Sequence, residues 1–293
     1  MTLKISGFST ALFSTWFFVE PFRLLLDCGD GASALLGQKS RKIRHVALTH
    51  ADRDHLTGLL QFNQLNGRDG LTFHYPSNCG SFPALRAFFD RFDPHVGGDT
   101  EWQPFKDGAV IPIEKDLELV AQSNGHKPAA PGETKSVGFR VYRTKKKLKP
   151  EFAGLSGAEL GELARTHGSG HIQEHVRELK LSFSGDAPIE DATRWRGSPV
   201  LIHEATFLNL EDAAKQRSQH SNLPDLLALL KDAEVDRLIL SHFSSRYRAP
   251  EIREAVHRCA SKVAYPRPIW AILPHEYVDD ILARDPIWTP TVT

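Results

Sequence analysis

Apolar runs of strand length recur along this chain, and four of them are each followed almost at once by a residue able to bind a metal. That recurrence constrains the fold more than any other feature. His50, Asp52, Asp54 and His55 follow the run ending at Leu48, and His126 follows residues 117–122 after a Ser-Asn-Gly turn. Asp186 follows 181–184, and His242 follows 238–241. Taken singly, such residues are surface histidines and turn aspartates. Taken together, imidazole and carboxylate groups suit borderline divalent metals, and a loop with ligands at alternate positions can wrap a metal pair. Two ions ~3.5–4 Å apart can share a hydroxide whose pKa falls towards ~7, so hydrolysis is the natural chemistry.

The opening of the chain reads as β structure at 3–8, 12–19 and 22–27, with a Glu20-Pro21 turn. Further strands are expected at 43–48, 71–75, 110–113, 117–122, 137–143, 179–184, 199–203, 237–241 and 269–273. Helices are expected at 82–91, 158–166, 210–217, 223–231 and 251–259. Strands grouped early and then mixed with helices predict an α/β (α+β) architecture of two sheets packed face to face with helices outside, as one domain over 1–293. The stretch 148–178, with glycines at 154, 157, 161, 168 and 170 between charged residues, is expected to be a mobile arm within that domain.

Lys and Arg number 36, as do Asp and Glu, so attraction to nucleic acid must come from a local patch rather than from the overall field. Cys28, Cys79 and Cys259 are too few and scattered for a disulfide framework, which favours a reducing, cytoplasmic compartment. The apolar stretch 8–19 is short, is threaded with Ser and Thr, and lacks a cleavage pattern. No run reaches the ~20 apolar residues of a membrane span, so no membrane partner is expected.

The run "THADRDH" resembles the His-x-His-x-Asp-His signature of metallo-β-lactamase-fold hydrolases, and "LLLDCGDG" resembles the strand and turn that precede it in ribonuclease Z. Downstream, "SNGHKP", "SFSGDAP", "LIHEATF", "QHS" and "LSHFSSRY" come in the order of that family's motifs, and "VYRTKKKLKPEFAGLSGAEL" resembles the matching stretch of its short members. The resemblance implies a metallo-β-lactamase αββα sandwich and an endonuclease that cuts precursor tRNA at its 3′ end. It also implies a homodimer and two divalent metal ions, Zn²⁺ first. By the same resemblance His50, Asp52 and His126 hold one ion, Asp54, His55 and His242 hold the other, and Asp186 bridges them. Where this chain has Asp52 the family has His, and the harder oxygen ligand would favour Mn²⁺ or Fe²⁺ there. Glu204 and His220 are implied as a pair in which the Glu keeps the imidazole protonated to serve the departing 3′-oxygen, while Asp54 binds metal and orients the attacking hydroxide.

Between Thr134 and Pro150 lie seven basic residues and no acidic one, and Lys145, Lys146, Lys147 and Lys149 are the candidates for gripping RNA phosphates beside the centre. His171 and His175 could share a helix face, but a structural metal site usually needs four ligands. Other readings of the same centre are hydrolysis of a small phosphodiester, lactone or thioester, a non-catalytic RNA-binding relative, and an iron redox protein of the fold.

Overall fold

The computed structural model describes residues 3–96, 100–189, 191–215 and 219–290, and its strands form two sheets. The first runs in spatial order β1 (Ile5–Thr10), β2 (Ser14–Val19), β3 (Leu24–Leu26), β4 (His45–Ala47), β5 (Thr72–Pro76) and β6 (Glu101–Phe105). The second contains β7 (Val110–Glu114), β8 (Leu117–Ser123), β9 (Val137–Leu148), β10 (Gln173–Phe183), β11 (Leu201–Glu204), β12 (Leu238–Ser241) and β13 (Ile269–Ala271), in the order β13-β12-β11-β10-β9-β8-β7.

The apolar side chains divide into three layers. One cluster, including Phe17, Leu26, Leu119, Phe139, Phe183 and Ile239, fills the space between the sheets. A second seals the outer face of the first sheet under the helices Ala32–Leu36, Leu59–Asn66 and Ser81–Phe92. A third seals the outer face of the second sheet under Leu223–Leu230 and Ala249–Val263. β2 and β12 are buried along their whole length, as strands covered on both faces must be. The αββα sandwich expected from the sequence is the fold observed.

The expected elements are present with shifted ends. The helix expected at 210–217 is seen as Leu210–Lys215, and its last two expected residues lie outside the described ones. β6 was not anticipated, because "EWQPF" carries a proline and is exposed at most positions, as suits a sheet edge. β9 and β10 run beyond their expected limits into one antiparallel hairpin, from Phe139↔Phe183 to Leu148↔Gln173, whose tip carries the helices Gly157–His167 and Ser169–Ile172. Lys180 is an extra residue between Leu179↔Tyr142 and Leu181↔Val141, a β-bulge in this ladder. His171 lies in the tip helix and His175 in β10, so they do not share a helix face as expected.

His45 and His74, on the neighbouring strands β4 and β5, stack with Nδ1 of His45 3.1 Å from Nε2 of His74. Burial, reinforced by His45, holds His74 down to about 3. The unfolded chain therefore binds the extra proton first, so this contribution to stability is intact above pH ~6.5 and is lost as pH falls towards 3. Stability from denaturant titration should drop by about 1–2 kcal/mol between pH 6.5 and 5, and His74→Gln should flatten that slope; an unchanged slope in the variant would assign the acid sensitivity elsewhere.

Candidate metal centre

β4, β8, β10 and β12 deliver their ligand-bearing loops to one end of the sandwich, where the side chains expected to bind metal meet. Among the overlapping groups of donor atoms close enough to share an ion, two correspond to the expected sets: His50, Asp52 and His126, and Asp54, His55 and His242. Oδ2 of Asp186 lies 3.6 Å from His50 Nε2, 3.9 Å from His126 Nε2, 3.2 Å from His55 Nε2 and 3.3 Å from His242 Nε2, so one carboxylate oxygen faces both groups. Ligands ~2.0–2.2 Å from a tetrahedral ion are separated from each other by roughly 3.3–3.6 Å. Asp52 Oδ2 lies 3.5 Å from His50 Nε2 and 3.4 Å from His126 Nε2. Asp54 Oδ2 lies 3.2 Å from His242 Nε2 and 3.7 Å from His55 Nε2. His50 Nε2 is buried and makes no hydrogen bond, a costly orphan unless a cation takes its lone pair. The donor set thus fits divalent metal.

All four imidazoles present Nε2 to the centre because Nδ1 is engaged behind it. His50 Nδ1 meets Thr49 Oγ1 at 2.8 Å, His55 Nδ1 meets Asp27 Oδ2 at 2.8 Å, His126 Nδ1 meets the Gln219 carbonyl at 3.2 Å, and His242 Nδ1 meets Thr206 Oγ1 at 3.0 Å. Such partners fix ring orientation and tautomer. Asp27, fully buried, also takes the Thr49 backbone N–H at 2.7 Å. Gly185 has φ of 57°, and a Cβ there would come within 2.9 Å of the Thr49 side chain, so only glycine lets the turn before Asp186 close on the ligand loop.

Burial pushes Asp186 towards neutrality, but His242 and His55 outweigh it and hold the carboxyl well below the usual range. For Asp54 burial is likewise outweighed, by His242 and His55, which bring it down to about 2. Asp52 is also held well below its ordinary value despite burial, by His126, His50 and Lys127. The Lys127 ammonium donates to both Asp52 oxygens at 2.7 Å.

Glu204 ends β11 and is 1 % exposed. Its Oε1 accepts from the Ala187 N–H at 2.9 Å, and its Oε2 accepts from the Thr206 N–H at 3.1 Å and the Thr206 hydroxyl at 2.6 Å. His220 Nδ1 sits 2.9 Å from Glu204 Oε1, its ring stacked on His242 at 5.3 Å and near His126 at 4.8 Å. Burial lowers the His220 pKa, but the Glu204 charge prevails and raises it to about 9. A cleft of about 110 Å³ over the ligands is lined in part by Leu12, Phe207, His220 and Arg246.

Lys145, Lys146, Lys147 and Lys149 do not sit beside this centre. β9 starts against Thr49 and runs away from it, which puts Lys145 on the order of 25 Å along the strand. Lys145 and Lys147 pair with Glu178 across the hairpin at 3.1 and 2.7 Å. Asp27, Lys127 and Arg246 were missed in the sequence. The signal for Lys127 was available: an acid at a ligand position with a basic residue directly after His126.

A model of the beta-lactamase superfamily domain matches residues 22–149. The chain is 26% identical over 277 residues to tRNase Z TRZ2, chloroplastic, of Arabidopsis thaliana, covering 89% of this chain and 73% of that one. It is 27% identical over 248 residues to ribonuclease Z of an Exiguobacterium species, covering 76% and 79%. Among solved structures, the metallo-β-lactamase-fold protein YhfI of Bacillus subtilis aligns with a TM-score of 0.64 at 14% identity over 95% of this chain and all of that one. The short form of human tRNase Z aligns with 0.58 at 16% over 94% and 98%. The fold is that of the metallo-β-lactamase superfamily, and its site gathers side chains that could hold divalent metal. Within that class, the sequence relatives along most of its length are ribonucleases Z.

Proposed function

We propose that this protein is a tRNA 3′-end endonuclease that leaves a 3′-hydroxyl on the tRNA and a 5′-phosphate on the trailer. The observation that carries this reading is the half-buried His220 paired with the buried Glu204 against the ligand cluster, because an ester with a poor alkoxide leaving group needs a proton donor there. The ribonuclease Z relatives supply the substrate class.

Two divalent ions fit this reading: His50, Asp52 and His126 would hold one and Asp54, His55 and His242 the other, with Asp186 within reach of both sets. When bound, they would lower the pKa of water and offset charge on the phosphate. Asp54 accepts a hydrogen bond from the attacking water and is itself braced by the Leu12 N–H at 2.9 Å. As the P–O3′ bond breaks, His220 passes its proton to O3′; with Nδ1 turned to Glu204, the donor is Nε2. Arg246, lining the cleft, is placed to meet a phosphate oxygen. A homodimer accompanies the reading by resemblance, and the few, scattered cysteines favour a cytoplasmic location; no helix among the described residues is long and apolar enough to cross a membrane. The test is a precursor tRNA carrying a labelled trailer: cleavage at the discriminator end with 3′-hydroxyl and 5′-phosphate products supports the reading, whereas hydrolysis of bis-p-nitrophenyl phosphate without any precursor cleavage favours the small-phosphodiester alternative.

Zn²⁺ is the first candidate, with Mn²⁺ or Fe²⁺ favoured at the Asp52 site by the harder oxygen. Lys127 competes with an ion for the same Asp52 lone pairs, so the two sites should be unequal. Lys127→Met should raise metal affinity at the weaker step of a Zn²⁺ titration by at least tenfold while leaving the tighter step in place, as read by calorimetry. Two equal steps in the unaltered protein would rule out the competition.

A further inference from the structure

A second concentration of charge lies at the far end of the first sheet. The metal centre follows the C-terminal end of β4, whereas Arg23 precedes β3, Arg41, Lys42 and Arg44 precede β4, and Arg68 precedes β5. These residues, with Lys4, Glu20 and Pro21, line an open cavity of about 780 Å³. About 20 Å of strand and loop separate Arg44 from His50.

Six basic side chains thus share one concavity with a single lining carboxylate in a chain whose total charge is zero. That carboxylate, Glu20, is taken by Lys42 at 2.6 Å and Lys4 at 3.7 Å, and Lys4 also approaches Asp279 at 3.8 Å. Arg23, Arg41 and Arg44 have no ion pair among the described residues, and all three are exposed. Arg68 is fixed from behind: its guanidinium donates to the carbonyls of Asn66, Arg41 and Ile43 at 2.8, 2.9 and 2.6 Å. Burial first, then the neighbouring Arg44 and Arg41, lower its pKa, which is how crowded like charges behave. Arg23 is held in the left-handed region at φ of 50° by its N–H to the Glu20 carbonyl, and its own carbonyl accepts from the N–H groups of Arg44 and His45. A backbone bond thus joins Arg23 to Arg44, and the Arg68 guanidinium ties in the Arg41 carbonyl and the start of β4.

The geometry points to a binding site for a compact oligophosphate, a nucleoside di- or triphosphate or its inorganic counterpart, in the cavity formed by Arg23, Arg41, Lys42, Arg44 and Arg68. The terminal phosphate brings ~1.5–2 negative charges at neutral pH and each internal one about one, so a chain of two or three phosphates comes closest to the excess. Guanidinium forks bind such oxygens in pairs. A concave wall suits a compact anion better than a long backbone.

The probe is a fluorescent ATP analogue, titrated into the metal-loaded protein with excess Mg²⁺, beside thermal unfolding with and without ATP. One site per chain is expected, with ATP raising Tm by a few degrees. Arg41→Gln and Arg44→Gln together should weaken binding at least tenfold and remove the gain in Tm, yet raise Tm without ligand because repulsion is relieved. Arg44→Glu alone should act in the same direction if the double variant folds poorly. Binding that survives these changes but is lost in Asp186→Asn would put the anion at the metal centre and overturn the inference. Displacement by a short single-stranded RNA at lower concentration than ATP would overturn it too, marking an RNA surface instead.

Discussion

His220→Ala should leave metal content intact while lowering kcat on precursor tRNA by roughly 10²–10⁴-fold, the usual worth of a positioned proton donor. A p-nitrophenyl diester, whose leaving group needs little protonation, should be far less affected. The companion variant is Glu204→Gln rather than Glu204→Ala, because the carboxylate also accepts from the backbone of Ala187 and Thr206, and truncation would orphan those buried donors. Glu204→Gln removes the charge that raises the His220 pKa, so its loss should be largest at high pH, where an unsupported imidazole is neutral. The double variant should be little worse than either single one. Metal loss in His220→Ala, or equal slowing of both substrates, would make the pair structural.

Removing the shared carboxylate should be more severe still. Asp186→Ala takes away the one oxygen that faces both ligand groups, so metal analysis after dialysis should find both ions depleted and no measurable cleavage of either substrate. Asp27→Ala offers the comparison: it touches no ion but orients His55, and such supporting bonds are worth ~10–100-fold in metal affinity. Excess metal should therefore restore Asp27→Ala and not Asp186→Ala. Retention of both ions by Asp186→Ala would break the assignment of Asp186 as the bridge.

The first ligand loop was legible because its chemistry is local: four polar residues directly after an apolar strand admit few explanations. His126, Asp186 and His242 could be placed because each ends a strand, and parallel strands entering one sheet bring their C-terminal ends together. What lay beyond reach depends on contacts across the chain. Asp27 sits on β3's exit, and nothing in "LLLDCGDG" says that its carboxylate turns towards His55. The charge of Lys145 and Lys147 looked uncompensated because Glu178 lies more than thirty residues away and becomes their neighbour only through the β9–β10 pairing. Stretch 148–178 looked irregular from its glycines, yet both ends of it are strand, since a ladder between polar, exposed residues leaves little alternating pattern.

The bulge at Lys180 has a bearing on how this molecule can vary. In a strand, losing or gaining one residue turns every following side chain to the opposite face. β10 runs from the hairpin tip straight towards Asp186, so an uninterrupted ladder would transmit any such change in the outer hairpin to the carboxylate. A bulge is a place where one surplus residue is already tolerated, and it lies between the tip and the centre. Lys180 is thus the place for an expansion joint: a one-residue change in the outer hairpin could be taken up there, leaving the few residues after Leu181 aligned with β11.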